Sequence, residues 1–187
     1  QTINTVNANA GDVNNDGNPD LVITADDGLE IYLGQGDGTF QTDGVIYEGS
    51  VGQMALGDLN GDGNLDIAGP SLEKIQIWLN NGDGTFQPRV PYDMLYLPTD
   101  IEFGDLDGDG NTDLVTTGLC SCLAVHYGRG DGTLEPWVGY GTTGSGGSNA
   151  IGDVNGDDAR DIVTGGNGID IMLNSGTRDF AARRIFG

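Results

Sequence analysis

The chain has 187 residues, of which 34 are glycine and 36% hydrophobic, and it carries a formal charge of −22. That length suffices for one domain with a real core. The charge excludes nucleic acid and an anionic membrane surface as partners, because both are held by Lys and Arg. No apolar run approaches the ~18 residues that span a bilayer, so no membrane insertion is expected. An acidic, glycine-rich composition also fits disorder, but apolar runs such as Leu21-Val22-Ile23 and Ile75–Leu79 recur on a schedule, which favours a folded chain of short strands and tight turns. No signal peptide is visible, and Gln1 would suit the first residue of a processed chain.

In chain order, a short apolar segment ends in Ala10-Gly11-Asp12 and runs into the acidic loop Asp12–Asp20. Leu21-Val22-Ile23-Thr24 leaves the loop, Asp26-Asp27-Gly28 turns, and Leu29–Leu33 follows. A Gly-Asp-Gly-Thr turn at 36–39 and a variable segment close the repeat. The same grammar returns from Asp58, Asp105 and Asp153, at intervals of 46, 47 and 48 residues. The Gly-Asp-Gly-Thr turn returns at 82–85 and 130–133, and its altered fourth version is Ser175-Gly176-Thr177-Arg178. A period in the forties marks a repeat architecture.

The runs are four to six residues long, rich in Val, Ile, Thr and aromatics, and bounded by Gly, Asp and Asn. They read as strands. In the third run of each repeat both alternating faces are apolar, Ile31, Ile77, Val125 and Ile171 on one and Tyr32, Trp78, His126 and Met172 on the other. A strand covered on both sides fits a sheet sandwiched between neighbours. The expected fold is therefore all-β, a β-propeller of four four-stranded blades at about 1–48, 49–95, 96–143 and 144–187 in a single domain. The four blades would close a small ring alone, or two chains would pair as a homodimer to complete an eight-bladed one. A right-handed β-helix is the runner-up, with repeats usually far shorter than these.

Each acidic loop has nine residues, with oxygen-bearing side chains at positions 1, 3, 5 and 9. A hard divalent cation takes six or more oxygens, and such a loop aims alternate side chains into one hollow. Glycine at position 6 (Gly17, Gly63, Gly110) permits the sharp turn that brings the position-7 carbonyl inward. The candidate ligands are Asp12, Asn14, Asp16, Asn18 and Asp20; Asp58, Asn60, Asp62, Asn64 and Asp66; Asp105, Asp107, Asp109, Asn111 and Asp113; and Asp153, Asn155, Asp157, Ala159 and Asp161. Oxygen-only donors point to calcium, up to four ions. Four of them would bring −22 to −14. In the fourth loop Asp158 replaces the glycine and Arg160 adds a competing positive charge, so weaker binding or altered geometry is expected there. An EF-hand is excluded, because position 12 is Ile23, Gly69, Thr116 and Thr164 where that motif needs a bidentate Glu. The plain role of such loops is to hold hairpins; sensing calcium is the sharper one.

Three stretches, GDVNNDGNPDLVIT…IYLGQGDGTF, GDLNGDGNLDIAGP…IWLNNGDGTF and GDLDGDGNTDLVTTG…VHYGRGDGTL, resemble the FG-GAP or VCBS-type repeat over nearly the whole chain. That repeat forms calcium-bearing propeller blades in integrin α-subunits and in some lectins. The resemblance implies calcium at positions 1, 3, 5 and 9 and at the position-7 carbonyl. It also implies a non-catalytic binding module with a carbohydrate or protein ligand, secreted or at the cell surface. A polysaccharide lyase-type enzyme and a structural propeller unit of a larger surface protein are the alternatives; no Lys, Tyr or His set at fixed spacing offers a base.

Several further residues invite a sharper role. Arg129-Gly130-Asp131 spells an adhesion tripeptide, yet the turn it lies in recurs without the Arg. Cys120 and Cys122 are either a bridged pair or two free thiols. His126 sits in the row of Tyr32, Trp78 and Met172 and reads as a packing residue. Trp137, in a variable segment, is the better candidate for a sugar or partner contact. Arg178, Arg183 and Arg184 would neutralise acidic surface or form a solvated tail.

Overall fold

The computed structural model describes residues 5–25, 28–41, 44–48, 52–71, 74–119, 121–142, 147–166, 168–180 and 182–186. The expected turn residues at 26–27, Cys120, and the side chains of Arg183 and Arg184 lie outside the described residues. Cys122 is in a disulfide. Every element among the described residues is a strand. They form four antiparallel four-stranded sheets, each built from consecutive strands in the manner of propeller blades.

The first sheet holds β1 (Thr5–Gly11), β2 (Asp20–Ala25), β3 (Gly28–Tyr32) and β4 (Val45–Glu48). The second holds β5 (Ala55–Gly57), β6 (Asp66–Ser71), β7 (Lys74–Trp78) and β8 (Val90–Asp93). The third holds β9 (Pro98–Gly104), β10 (Asp113–Gly118), β11 (Cys122–His126) and β12 (Val138–Gly141). The fourth holds β13 (Asn149–Gly152), β14 (Asp161–Gly165), β15 (Ile169–Leu173) and β16 (Ala182–Phe186). Register puts Gly11 opposite Asp20, Gly57 opposite Asp66, Gly104 opposite Asp113 and Gly152 opposite Asp161. Each acidic loop is thus the hairpin between the first two strands of its sheet, with its last Asp opening the second strand.

The chain divides into two compact units, residues 1–58 with 62–92 and residues 93–187 with 59–61. In the first unit, Val13, Val22, Leu29 and Ile31 of the first repeat pack with Met54, Ile67, Trp78 and Phe86 of the second. Tyr47 meets Phe86 edge-on at 5.7 Å and accepts its backbone N–H through the hydroxyl at 3.0 Å. In the second unit, Leu106, Val115, Leu123, Val125 and Tyr127 of the third repeat pack with Ile162 and Met172 of the fourth. The hydrophobic core of each unit therefore lies between its two sheets and takes in one face of each third strand, Ile31 and Trp78 in the first unit and Val125 and Met172 in the second.

His126 belongs to this packing. It is 2% exposed, its Nδ1–H donates to the Glu135 carbonyl at 3.1 Å, and its Nε2 has no hydrogen-bond partner among the described residues. A carbonyl only accepts, so the ring is the neutral Nδ1–H tautomer. Burial holds its pKa below the ordinary 6.5. The unfolded chain therefore takes up this proton first. The stability contributed by neutral His126 is complete above about pH 6.5 and is lost as the pH falls through that value. In equilibrium denaturation, His126→Met, the residue its counterpart Met172 supplies, should flatten the stability profile between pH 7 and 5 relative to the parent chain. An unchanged difference between the two chains across that range would contradict a buried neutral imidazole.

Candidate functional site: the acidic loops

All four loops fold by side-chain capture of their own backbone. The position-1 carboxylate accepts N–H groups from the far side of the turn: Gly17 to Asp12 at 2.8 Å, Gly63 to Asp58 at 2.9 Å, Gly110 to Asp105 at 3.0 Å and Asp158 to Asp153 at 3.0 Å. The position-5 carboxylate accepts the position-7 N–H, from Asn18, Asn64 and Asn111 at 2.8 Å and from Ala159 at 3.0 Å. These are the Asx turns that short acidic side chains favour. They hold the Asp16 and Asp153 carboxyls below the usual carboxylate range, chiefly through the Asn18 and Gly156 amides.

The last aspartate of each loop is different. Asp20, Asp66, Asp113 and Asp161 are 0% exposed. Asp20 accepts Val13 N–H with one oxygen and Gly34 N–H with the other, each at 2.8 Å. Asp113 does the same with Leu106 and Gly128, and Asp161 with Val154 and Asn174, at 2.8–2.9 Å. Asp66 accepts Asn80 N–H at 2.8 Å. Asp20, Asp113 and Asp161 each tie the start of the loop to the end of the third strand, and Asp66 holds the end of its third strand. Burial pushes the Asp113 carboxyl up to about 6, against the lowering effect of the Gly128 and Leu106 amides.

The third loop brings Asp105, Asp107 and Asp109 together, with carboxylate oxygens within 4.8 Å of one another. Asp113 stands outside this trio. An all-oxygen, clustered donor set fits a hard divalent cation. Asp105, Asp107 and Asp109 would hold it, supplying charge neutralisation for three adjacent carboxylates. In the first and fourth loops an Asn takes position 3, and its amide N–H donates to the position-5 carboxylate, from Asn14 to Asp16 at 3.0 Å and from Asn155 to Asp157 at 2.9 Å. Asp107 has no N–H to offer; it receives Arg178 Nε at 2.8 Å instead. The Arg178 guanidinium also bonds Glu135 at 2.6 Å and lies 4.2 Å from the centre of the Tyr127 ring. Arg178 therefore neutralises acidic surface.

Two residues outside the loops, Asn80 and Asn174, complete the arrangement, and neither was among the expected site residues. Each is 2% exposed. Asn80 Nδ2 donates to Val13 O of the first loop at 2.9 Å and to Leu65 O of its own loop at 3.0 Å. Asn174 Nδ2 likewise donates to Leu106 O and to Arg160 O. Their counterparts are Gly34 and Gly128, where a Cβ would come within 2.1 Å of Pro19 O and 2.0 Å of Thr112 O. The sequence signal was the alternation Gly, Asn, Gly, Asn in the residue after the third run. Arg129 donates to Leu134 O at 3.1 Å within its own hairpin, as a turn residue would.

Beside the third and fourth loops lies a cleft of about 270 Å³, lined by Asp105, Leu106, Gly108, Asp157, Asp158, Ala159, Arg160, Ser175 and Gly176. Its lining residues include acidic ones, Arg160 and Ser175 beside Leu106 and Ala159.

The family pattern described as FG-GAP-like repeat matches residues 12–69 and 58–116, which together span more than half of the chain. The chain belongs to the FG-GAP-like repeat family. Among curated protein sequences, none matches. Solved structures do. An Agrocybe aegerita lectin, solved for its recognition of non-reducing terminal N-acetylglucosamine, is 24% identical, with a TM-score of 0.67 over 94% of this chain and 50% of its own. BBS1N, solved in complex with ARL6DN, is 13% identical, with a TM-score of 0.60 over 96% of this chain and 56% of its own. The Photorhabdus luminescens Tc holotoxin pore is 21% identical, with a TM-score of 0.55 over 84% of this chain and 8% of its own. This chain thus spans about half the length of the first two. The likeness is one of fold, and it joins these FG-GAP-like repeats to propeller-type sheets.

Two outcomes follow for the loops. Asn80→Ala leaves the Val13 and Leu65 carbonyls without that donor and should cost about 1–3 kcal/mol in urea denaturation; a cost below a few tenths would refute the clamp. Asp158 holds φ at +69° where the other loops place glycine at +85° to +87°. Asp158→Gly should therefore stabilise the chain by roughly 1 kcal/mol, read the same way.

Proposed function

We propose that the chain is a calcium-stabilised carbohydrate-binding module, with its four sheets serving as propeller blades and its place of work outside the cell or at its surface. The observation that carries the reading is the cleft between the third and fourth loops. Sugar recognition asks for a shallow polar site in which carboxylates accept hydroxyl protons and a guanidinium donates. The lining of the cleft includes Asp157, Asp158, Arg160 and Ser175, residues that carry such groups. The lectin of the same fold supports the carbohydrate class.

Calcium at the four acidic loops supports the same reading from the side of stability. The loops concentrate carboxylates that repel at neutral pH, and a bound cation stabilises the fold by RT ln(1 + [L]/Kd). That is roughly 2–4 kcal/mol per site at about 100–1,000 times Kd. The proposed ligands are the side chains at positions 1, 3 and 5 with the position-7 carbonyl, the buried position-9 aspartate bracing the loop around them; the third loop places three carboxylates, Asp105, Asp107 and Asp109, together.

A glycan array probed with the chain in calcium, and again in excess chelator, tests both parts. Binding to a defined set of sugars, weakened about tenfold or more by Arg160→Ala, is expected. An array without retained glycans would sink the carbohydrate reading. Chelator should also lower the melting temperature; an unchanged melt with no metal by elemental analysis would remove calcium from the account.

A further inference from the structure

The four acidic loops differ at position 3. It is Asn14, Asn60 and Asn155 in the first, second and fourth loops, and Asp107 in the third. The turn after the third strand differs as well: Gly38, Gly84 and Gly132 stand where the fourth repeat has Arg178. In the first unit these two positions are neighbours. A Cβ placed on Gly84 would lie 3.4 Å from Asn14 Cβ, and Gly84 N–H bonds Val13 O at 3.1 Å. In the second unit the corresponding neighbours are Arg178 and Asp107, with Arg178 Nε donating to Asp107 Oδ2 at 2.8 Å. The added carboxylate and the arginine thus occur at the same junction.

Both side chains are held there. The Asp107 side chain is 9% exposed, and its second oxygen accepts Asp109 N–H at 3.2 Å. Arg178 is fixed on its other sides by Glu135 at 2.6 Å and by the Tyr127 ring at 4.2 Å, and its carbonyl accepts the Tyr140 hydroxyl at 3.1 Å. With Arg178 paired to it, the third loop and its four aspartates present the same net charge as the first and second loops with three. The fourth carboxylate therefore adds no pull on a cation while the guanidinium stays.

We infer that Arg178 is a resident counter-ion of the third loop, and that it sets the calcium affinity of that loop by competing for Asp107. The inference rests on the calcium reading of the loops. A divalent ion bound by Asp105, Asp107 and Asp109 must share the Asp107 carboxylate with a guanidinium of like charge, or displace it. Without the guanidinium, Asp107 stands bare beside two carboxylates whose oxygens lie within 4.8 Å of one another and of its own. The metal-free loop then repels itself, and the loaded loop gains a ligand with no rival. Both effects favour calcium. In the absence of calcium, Arg178 is what ties the third loop to the turn of the fourth repeat.

Calcium titration of the chain followed by NMR tests it. The Gly110 amide, bonded to Asp105, reports the third loop, and the Gly17 amide, bonded to Asp12, reports the first. In the parent chain the Arg178 Nε–H resonance should move with the same midpoint as Gly110. A Nε–H resonance that stays fixed while Gly110 saturates would overturn the inference, and this arm needs no variant. Arg178→Ala should lower the Gly110 midpoint about tenfold or more, the scale of a hydrogen bond between ionised groups, and leave the Gly17 midpoint unchanged. Adding Asp107→Asn, which gives the third loop the position-3 residue of the others, should bring the midpoint back to within a few-fold of the parent value. A Gly110 midpoint indifferent to Arg178→Ala overturns the inference and leaves calcium standing. So does a third loop that takes no calcium while the first does. Calcium that moves neither amide removes the calcium reading and this inference together.

Discussion

Four carboxylates with no exposure to solvent organise this chain: Asp20, Asp66, Asp113 and Asp161. A buried carboxylate is costly unless its oxygens are satisfied, and here backbone N–H groups satisfy them. At Asp20, Asp113 and Asp161 one donor comes from the loop and the other from the end of the third strand, so satisfying the charge also sets the hairpin geometry. The acidic loop is thereby held in one conformation by a residue inside the sheet. Its exposed carboxylates are left to whatever cation or ligand approaches.

The second layer of organisation is the alternation of glycine and asparagine after the third strand. Gly34 and Gly128 allow the chain to pass against the carbonyls of Pro19 and Thr112, whereas Asn80 and Asn174 reach back to the preceding loop. Each asparagine bonds the carbonyl of the residue whose N–H is held by, or adjoins, a buried aspartate. The sheets are in this way coupled in twos through polar contacts placed beside the apolar ones. Arg178 adds a charged contact of the same kind in the second unit, reaching from the turn of the fourth repeat to Asp107 of the third.

Much of this was legible in the sequence. Strands announced themselves by period-two apolar runs and by Gly and Asp punctuation, so β2 at Asp20–Ala25 and β11 at Cys122–His126 fall where Leu21–Thr24 and Leu123–Tyr127 were read. The loop motif was legible because Asx turns are local. The long-range partners were not. Nothing within nine residues reveals that Asp113 will meet the Gly128 amide, since that depends on where β11 ends. Asn80 and Asn174 drew no expectation, because the acceptors that link them to the preceding repeat, Val13 O and Leu106 O, lie 67 and 68 positions away.

The central claim is that the last aspartate of each loop is a buried tie between loop and strand. Amide hydrogen exchange followed residue by residue by NMR tests it most directly. The amides of Val13, Leu106 and Val154, although they belong to surface loops, should exchange as slowly as strand amides in β2, β10 and β14, and so should those of Gly34, Gly128 and Asn174. Exchange at the rate of the freely exposed loop amides at these positions would contradict it.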